Sequence, residues 1–213
     1  MGVYMTPSFL FVMPLARSTE LEAVNRVLQM MGEAPVNSLS GQFGLAKQAQ
    51  DTLTNVSRQV QAEGWSFNTD YEVTMTRNSS NEIVVGSNVS RVVVDIYEFP
   101  DLDVIQKNTK LYDRRGQTSV FTEDLKADVT YMLDWDELPE HAHQYIMTRA
   151  GRQLQESIVG STDLGSINLT AESEARSQFL EEETTKSEHN MLRGNPNHTG
   201  VFQTYIPSRA LVR

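Results

Sequence analysis

The spacing of apolar residues changes twice along this chain, from a helical period to a period of two and back again. Residues 19–68 and 138–193 place apolar side chains every three or four positions, as helices with one buried face do. Between them, residues 71–75 and 129–135 alternate apolar and polar side chains, as half-buried strands do. The sequence therefore predicts an α+β fold, in which an antiparallel bundle of about four helices carries a small inserted antiparallel β unit.

Two helices joined by a turn make up the first helical part. Thr19 followed by Glu22 has the spacing of a capping box, which predicts where the first helix begins. Gly32 and Pro35 predict its end and a turn, and Gly64 predicts the end of the second helix. The aromatic residues expected to anchor this hairpin in the core follow at once: Trp65 and Phe67.

The second helical part is predicted to contain a third helix that begins near Pro139 and ends at Gly160. A loop over residues 161–168 and a fourth helix capped by Thr170 should follow. The fourth helix is so polar that it should be solvated or lie against another subunit, with residues 181–183 on a solvated face.

These patterns divide the chain into an N-terminal arm, two domains and a tail. The helical bundle domain is discontinuous, because the inserted β domain interrupts it. Apolar side chains in a tail too short to form its own core predict docking onto a partner, and the candidate interface residues there are Phe202, Tyr205 and Ile206. The predicted boundaries are 1–17 for the arm, 18–68 with 137–193 for the bundle, 69–136 for the β domain and 194–213 for the tail.

Composition restricts the classes of function. The formal net charge of −10 disfavours a protein that grips DNA, because such binding depends on Lys and Arg displacing counterions from phosphates. The same charge suits a surface past which nucleic acid slides without sticking. The chain has no cysteine, so it has no disulfide framework and no thiolate metal site. No cofactor is expected. No stretch approaches the roughly 20 apolar residues of a membrane span.

Few residues suggest chemistry. The acidic group at 134–140 could supply a paired-carboxylate glycan hydrolase, with Asp136 and Glu140 as the candidates. Acids at a helix start are also favoured simply by the helix dipole, and we prefer that interpretation. Arg114 and Arg115 form an adjacent basic pair on a predicted β-turn, which is either a plain surface turn or a contact to a partner or DNA. His141 and His143 point in different directions on a helix, so they cannot share a metal, and they are expected to be structural or solvent-facing.

Several short stretches resemble the tail tubular protein A family, the head-to-tail adaptors or gatekeepers of short-tailed bacteriophages. The similarity is scattered over most of residues 19–193, and it includes no catalytic signature. The stretches that carry the resemblance are residues 20–25, 32–36, 64–68, 111–114, 136–140 and 145–150, and the matches at 32–36, 64–68 and 136–140 are together the specific ones.

The resemblance implies a structural protein of the virion tail, made in the host cytoplasm. It implies a ring of identical chains, a dodecamer, between the portal protein and a tail nozzle built of a tail tubular protein B-like subunit. DNA would pass through the bore during ejection without specific binding, and no membrane would be involved. The alternative is a tail-associated hydrolase of cell-envelope polysaccharide or peptidoglycan that uses the carboxylates near 134–140.

Overall fold

The computed structural model describes residues 17–41, 43–95, 98–158 and 162–186. Four helices and five strands lie within these ranges, so the predicted α+β class with about four helices and a small antiparallel β unit is confirmed. The helices are α1 (Glu20–Met30), α2 (Leu45–Ala62), α3 (Glu140–Ile158) and α4 (Thr162–Lys186). The strands are β1 (Thr69–Met75), β2 (Val89–Val94), β3 (Val104–Lys107), β4 (Lys110–Asp113) and β5 (Leu125–Tyr131).

The first helical hairpin forms as predicted. The Thr19 hydroxyl accepts a hydrogen bond from the Glu22 amide, and the Glu22 carboxylate accepts one from the Thr19 amide, which completes the capping box. Gly32 adopts a φ of +77°, so it supplies the left-handed conformation that ends α1. The side chain of Asn25 bonds both the amide and the carbonyl of Val36, which fixes the turn against the helix.

The end of α2 is also where the sequence places it. Gly64 has a φ of +80°, one residue beyond the capping residue Glu63. Trp65 and Phe67 pack against the buried helical core, and the Trp65 indole donates a 2.7 Å hydrogen bond to the Val60 carbonyl. The two predicted aromatic anchors are confirmed.

The β part consists of a three-stranded antiparallel sheet in the order β1–β5–β2 and a separate antiparallel pair of β3 with β4. Pairing of β1 with β5 shifts between Asp70 and Val73, and Glu72 in this bulge has a φ of +54°. Tyr71 is consequently exposed, although strict alternation predicts that it faces the core with Val73 and Met75.

The strand predicted over residues 129–135 ends earlier than its alternation suggests. β5 stops at Tyr131, and Trp135–Glu137 form a turn of 3₁₀ helix. The strand does not continue because the backbone groups of Leu133 bond a side chain of α2. The buried side chain of Gln61 accepts from the Leu133 amide at 2.7 Å and donates to the Leu133 carbonyl at 3.2 Å, so these groups bond α2 instead of a neighbouring strand.

Two hydrophobic clusters form the interior. The helical cluster unites all four helices, and the β cluster lies under the strands and loops of the inserted part. The largest fully buried side chains of the helical cluster are Leu28, Leu53, Leu138, Tyr145, Ile146 and Phe179. The β cluster consists of Ile83, Val85, Phe99, Leu111, Phe121 and Leu125.

The fourth helix begins earlier than predicted. α4 starts at Thr162, whereas the sequence suggested a loop over 161–168 and a cap at Thr170. α4 packs against α3, and the Asn168 side chain, within the predicted loop, donates a hydrogen bond to Gln155 of α3, so a contact with a distant residue accompanies helix where the local pattern suggested a loop. The predicted end of α3 at Gly160 lies outside the described residues. Among the helices described, none combines the length and the apolar character that crossing a membrane requires.

Candidate functional site

The acidic group at 134–140 lies beside residues 17 and 18, which lead into α1, and it contacts both of them. The Glu140 carboxylate accepts hydrogen bonds from the Ser18 amide at 3.0 Å and from the Ser18 hydroxyl at 2.7 Å. The Ser18 carbonyl accepts a 2.8 Å hydrogen bond from the Trp135 indole. Arg17 donates to the backbone carbonyl of Asp136 at 3.3 Å. We call these contacts the N-terminal anchor, because they fix residues 17 and 18 beside the start of α3.

His143 completes the N-terminal anchor from inside the bundle. Its ring is fully buried and stacks on the Trp135 indole, with ring centroids 4.3 Å apart. Nε2 lies 2.8 Å from the Trp135 carbonyl, and Nδ1 lies 3.3 Å from the Glu140 carboxylate. Both ring nitrogens therefore have a hydrogen-bond partner within the fold. His143 is thus a buried structural histidine, as predicted.

Hydrogen bonds keep Glu140 ionised. Burial alone would raise the pKa of this carboxyl, but the hydrogen bonds from Ser18, Gln144 and His143 outweigh burial and lower the pKa to about 2. A general acid must hold a proton near neutral pH, and Glu140 does not. Both of its oxygens are also occupied by donors.

The second hydrolase candidate, Asp136, is exposed on the 3₁₀ turn, and it joins the N-terminal anchor through its backbone carbonyl. The geometry therefore favours an anchoring use of this acidic group over the hydrolase interpretation. The sequence does not indicate that use, because Ser18 and Glu140 are 122 residues apart in the chain.

The basic pair Arg114–Arg115 lies on the turn after β4, as predicted, and the turn is organised by a buried carboxylate. Asp113 accepts hydrogen bonds from the amides of Asp103, Arg115 and Gly116. Burial raises the pKa of Asp113, but these backbone donors outweigh burial and hold the pKa below its usual value. The turn is therefore rigidly defined at its base, while both arginines are exposed.

The two guanidinium groups of this turn have partners within the β part. Arg114 donates to the Asp103 carboxylate at 2.8 Å, and this contact raises the pKa of Arg114. Arg115 donates to the Pro100 carbonyl at 3.1 Å and lies 3.9 Å from Asp101. The other predicted interface residues, Phe202, Tyr205 and Ile206, lie outside the described residues.

A buried glutamate on α4 is a site that the sequence did not indicate. Glu183 was expected on a solvated face with Glu181 and Glu182, but only those two are exposed. The Glu183 carboxylate accepts from the Ser66 amide at 3.0 Å and the Ser66 hydroxyl at 2.7 Å, and it lies 2.8 Å from His141 Nε2. It thus connects α4 to the start of α3 and to the turn after α2.

A second set of polar contacts holds α4 closer to its N-terminus than Glu183. Arg149 and Arg152 of α3 both bind Glu172 of α4, and Arg176 of α4 lies 3.5 Å from Glu63 beyond α2. Arg149 also lies 3.8 Å from Glu63, so the five residues form one arginine–glutamate network. The spacing of Arg149 with Arg152, and of Glu172 with Arg176, places each pair on one helix face, which was the available sequence signal.

Comparison with known proteins shows similarity over most of the chain. A family model described as tail tubular protein matches residues 21–189. The chain is also similar to tail tubular protein A of Klebsiella phage KP34, with 26% identity over 157 residues, which cover 73% of this chain and 81% of that protein. The matched range contains α1 from its second residue, the other three helices and both strand groups. It also contains Trp135, Asp136, Glu140 and His143 of the N-terminal anchor, but not Arg17 and Ser18.

Proposed function

The chain belongs to the tail tubular protein family, and from this premise we propose that it forms the ring adaptor between the portal and the nozzle of a phage tail. Family membership makes it a structural component of the virion tail, where it assembles with other virion proteins. The observation that carries the proposal is the family match over residues 21–189. The dodecameric ring, the gatekeeper role and the individual partners are the parts that we add.

The proposed contacts use residues at two separate places. The exposed turn with Arg114 and Arg115 would bind a neighbouring component, since its base is fixed by Asp113 and its arginines face solvent. The C-terminal residues Phe202, Tyr205 and Ile206 would dock onto the portal protein. The nozzle, built of a tail tubular protein B-like subunit, would contact the opposite end of the ring. No cofactor takes part in these contacts.

The charge of the chain supports passage of DNA through the ring. Each chain carries a formal charge of −10, so twelve chains would carry about −120, screened beyond about 10 Å at 0.1 M salt. With this charge facing the bore, such a ring would repel the phosphate backbone instead of binding it. DNA would therefore pass without specific binding during ejection.

The mass of the purified protein tests the proposal. We expect light scattering to show a 24.0 kDa chain alone, and a ring that adds about 290 kDa to the cognate portal when the two are mixed. Removal of residues 195–213 should prevent this addition. Replacement of Phe202, Tyr205 and Ile206 by serine should have the same effect, whereas Arg209→Ser in the same segment should leave ring formation intact.

Two other results would contradict parts of this proposal. A chain that does not join the portal at micromolar concentration would contradict the adaptor assignment, although family membership would stand. A ring of different stoichiometry would contradict only the dodecamer.

A further inference from the structure

The loop between α1 and α2 presents an exposed aromatic side chain. Phe43 is 88% exposed, more than any other large apolar side chain that the structure describes. The chain is fixed on both sides of it, because Leu39 and Leu45 pack against the helical cluster. Gly41 and Gly44 adopt φ values of +71° and +64°, which residues with a side chain rarely adopt. The fold therefore holds Phe43 in solvent, although contact with an apolar partner would be more favourable for it.

A cavity of about 280 Å³ lies between the start of α1, the C-terminal half of α2 and the chain that follows β5. Three half-buried apolar side chains line it: Met132, Leu133 and Trp135. An engineered protein cavity of about 150 Å³ holds a benzene molecule, so this cavity has room for a phenyl ring. Trp135 would give such a ring an aromatic neighbour, and the flexible side chain of Met132 can adapt to its shape.

A cation also lines this cavity. Arg58 is exposed, and it has no ion-pair partner among the residues that the structure describes. A guanidinium group near the face of an aromatic ring attracts the ring. Glu20 and Asp134 line the cavity as well, and the Glu20 carboxylate accepts a hydrogen bond from Gln50 at 3.1 Å. The cavity thus offers both apolar contact and a cation, and an aromatic side chain binds well to this combination.

Two other cavities suit an aromatic ring less. One is a groove of about 610 Å³ between α3 and α4, and the other is a cavity of about 210 Å³ in the β part. Among the described residues that line these two, none is a lysine or an arginine. The phenylalanines that line them, Phe121 and Phe179, are at most 4% exposed and offer a ligand little surface.

Phe43 does not fill the cavity of its own chain, since it is exposed. On α2 the cavity begins at Leu53, about 12 Å along the helix from its start at Leu45. We propose that Phe43 of one copy inserts into this cavity of the next copy. The contact uses two different surfaces of the chain, so each copy both donates a Phe43 and accepts one, and contacts of this kind generate closed rings or filaments. The inference rests on the proposed ring and names a contact between its neighbouring copies.

Photo-cross-linking of the full chain, mixed with the cognate portal, tests this contact. p-Benzoylphenylalanine in place of Phe43 keeps an aromatic side chain there and, under ultraviolet light, bonds to C–H groups that lie against it. We expect a covalent dimer of about 48 kDa, twice the 24.0 kDa of one chain, whose linked peptide contains Met132 or Trp135. A link to another surface, a link to the portal alone, or no link would overturn the proposal.

Light scattering of the same sample separates this inference from the proposed ring. A ring that forms without a cross-link into the cavity would contradict the Phe43 contact and leave the ring in place. The expected cross-link without a ring would support the contact and contradict the ring.

Filling the cavity tests the accepting side of the contact. Thr54 is exposed and lines the cavity, so Thr54→Trp should occupy it. The photo-reactive chain that also carries Thr54→Trp should lose the cross-link. Mixing that chain with Phe43→Ser, whose cavity is open, should restore a cross-linked dimer. Restoration also shows that the doubly changed chain is folded, and its failure would contradict the assignment.

Removing the aromatic side chain tests the donating side. Phe43→Ser should raise the protein concentration needed for ring formation on the portal by about 10- to 100-fold, because a large apolar side chain no longer becomes buried. Val84→Ser removes another exposed apolar side chain, 54% exposed in the β part, and should leave that concentration unchanged. Equal effects of the two substitutions would show that Phe43 has no specific place in the contact.

Discussion

At the scale of single residues, the carboxylate of Glu140 is the group whose ionisation matters most for the N-terminal anchor. Its pKa in the folded chain is about 2, against an ordinary value of 4.5. A lowered pKa in the folded state means that ionisation stabilises the fold. This contribution is fully present above pH 4.5 and is lost as the pH falls from 4.5 towards 2. The N-terminal anchor should therefore weaken in acid.

Replacing Glu140 by glutamine should reproduce this weakening at neutral pH. An amide offers a single acceptor oxygen, so part of the donor set from Ser18, Gln144 and His143 loses its partner. We expect the free energy of unfolding in urea to fall by about 1 kcal/mol, since the side chain is partly exposed. The difference from wild type should shrink below pH 4.5. Glu123→Gln, at an exposed position, should change stability little at any pH; an equal loss there would contradict the assignment.

Gly64 is a second residue whose identity the backbone requires. Its φ of +80° disfavours any side chain, and a Cβ atom there would lie 2.7 Å from Arg91 Nη2. Gly64→Ala should cost about 1 to 2 kcal/mol, because the left-handed conformation is strained for alanine. Arg91 is a flexible side chain that can move aside. The same loss measured in an Arg91→Ala background would therefore assign the cost to the backbone, and its disappearance there would assign it to the arginine.

At the scale of elements, the part of α4 whose side chains the structure describes, residues 168–186, combines several polar contacts with one fully buried large apolar side chain, Phe179. The arginine–glutamate network and Glu183 connect it to α2, α3 and the intervening turn. Phe179 is the apolar exception, with its ring 4.6 Å from Trp65 and 5.3 Å from Tyr145 between centroids. Most of these ion pairs are largely buried, so the cost of desolvating the charges offsets much of their attraction, and the attachment of the helix should depend on this ring.

Phe179→Ala should accordingly loosen α4. We expect a loss of about 3 to 5 kcal/mol, the range for removing a buried aromatic side chain. The fluorescence of Trp65, which the ring contacts edge-on, should change in parallel. Leu180→Ala, one position along and 39% exposed, should cost far less. If both variants lost the same stability, the packing of Phe179 would not be what holds the helix.

Features of the helices and strands that depend on neighbouring residues were predicted from the sequence, and features that depend on distant residues were not. The capping box at Thr19, the glycine end of α2 and the aromatic anchors depend on neighbouring residues, and all were predicted. The early start of α4, the early end of β5 and the exposure of Tyr71 depend on contacts with distant residues or on a bulge. Periodicity gives no information about such contacts.

The same distinction applies to the candidate site. The sequence drew attention to Glu140, but its partner Ser18 lies across the fold, so the structural use of Glu140 could not be inferred. Glu183 looked solvated because its two neighbours are acidic, and only the fold shows that it faces Ser66 and His141. The positions of Arg114 and Arg115 on a turn were predicted, since that depends on local pattern alone.

At the scale of the whole molecule, the interior is divided into two hydrophobic clusters, and the chain passes from one to the other twice. The helical cluster and the β cluster have no residue in common. At the crossings, the buried Asn68 side chain donates to the carbonyls of Gln61 and Tyr131, and Gln61 in turn bonds Leu133. The division into a discontinuous helical domain and an inserted β domain stays a prediction, and these two clusters support it.

Matched core truncations test whether the two parts are separate folding units. Leu125 of the β cluster and Leu53 of the helical cluster are both fully buried, so either change to alanine should cost about 2 to 5 kcal/mol locally. Both tryptophans, Trp65 and Trp135, pack against the helical cluster, so their fluorescence reports on that part. Amide hydrogen exchange of β4 and β5 reports on the β part.

If the two parts are separate units, Leu125→Ala should accelerate exchange in the strands and barely move the fluorescence midpoint in urea. Leu53→Ala should lower that midpoint strongly. Equal shifts of both observables in both variants would show that the hydrogen bonds of Gln61 and Asn68 couple the two clusters into one cooperative unit.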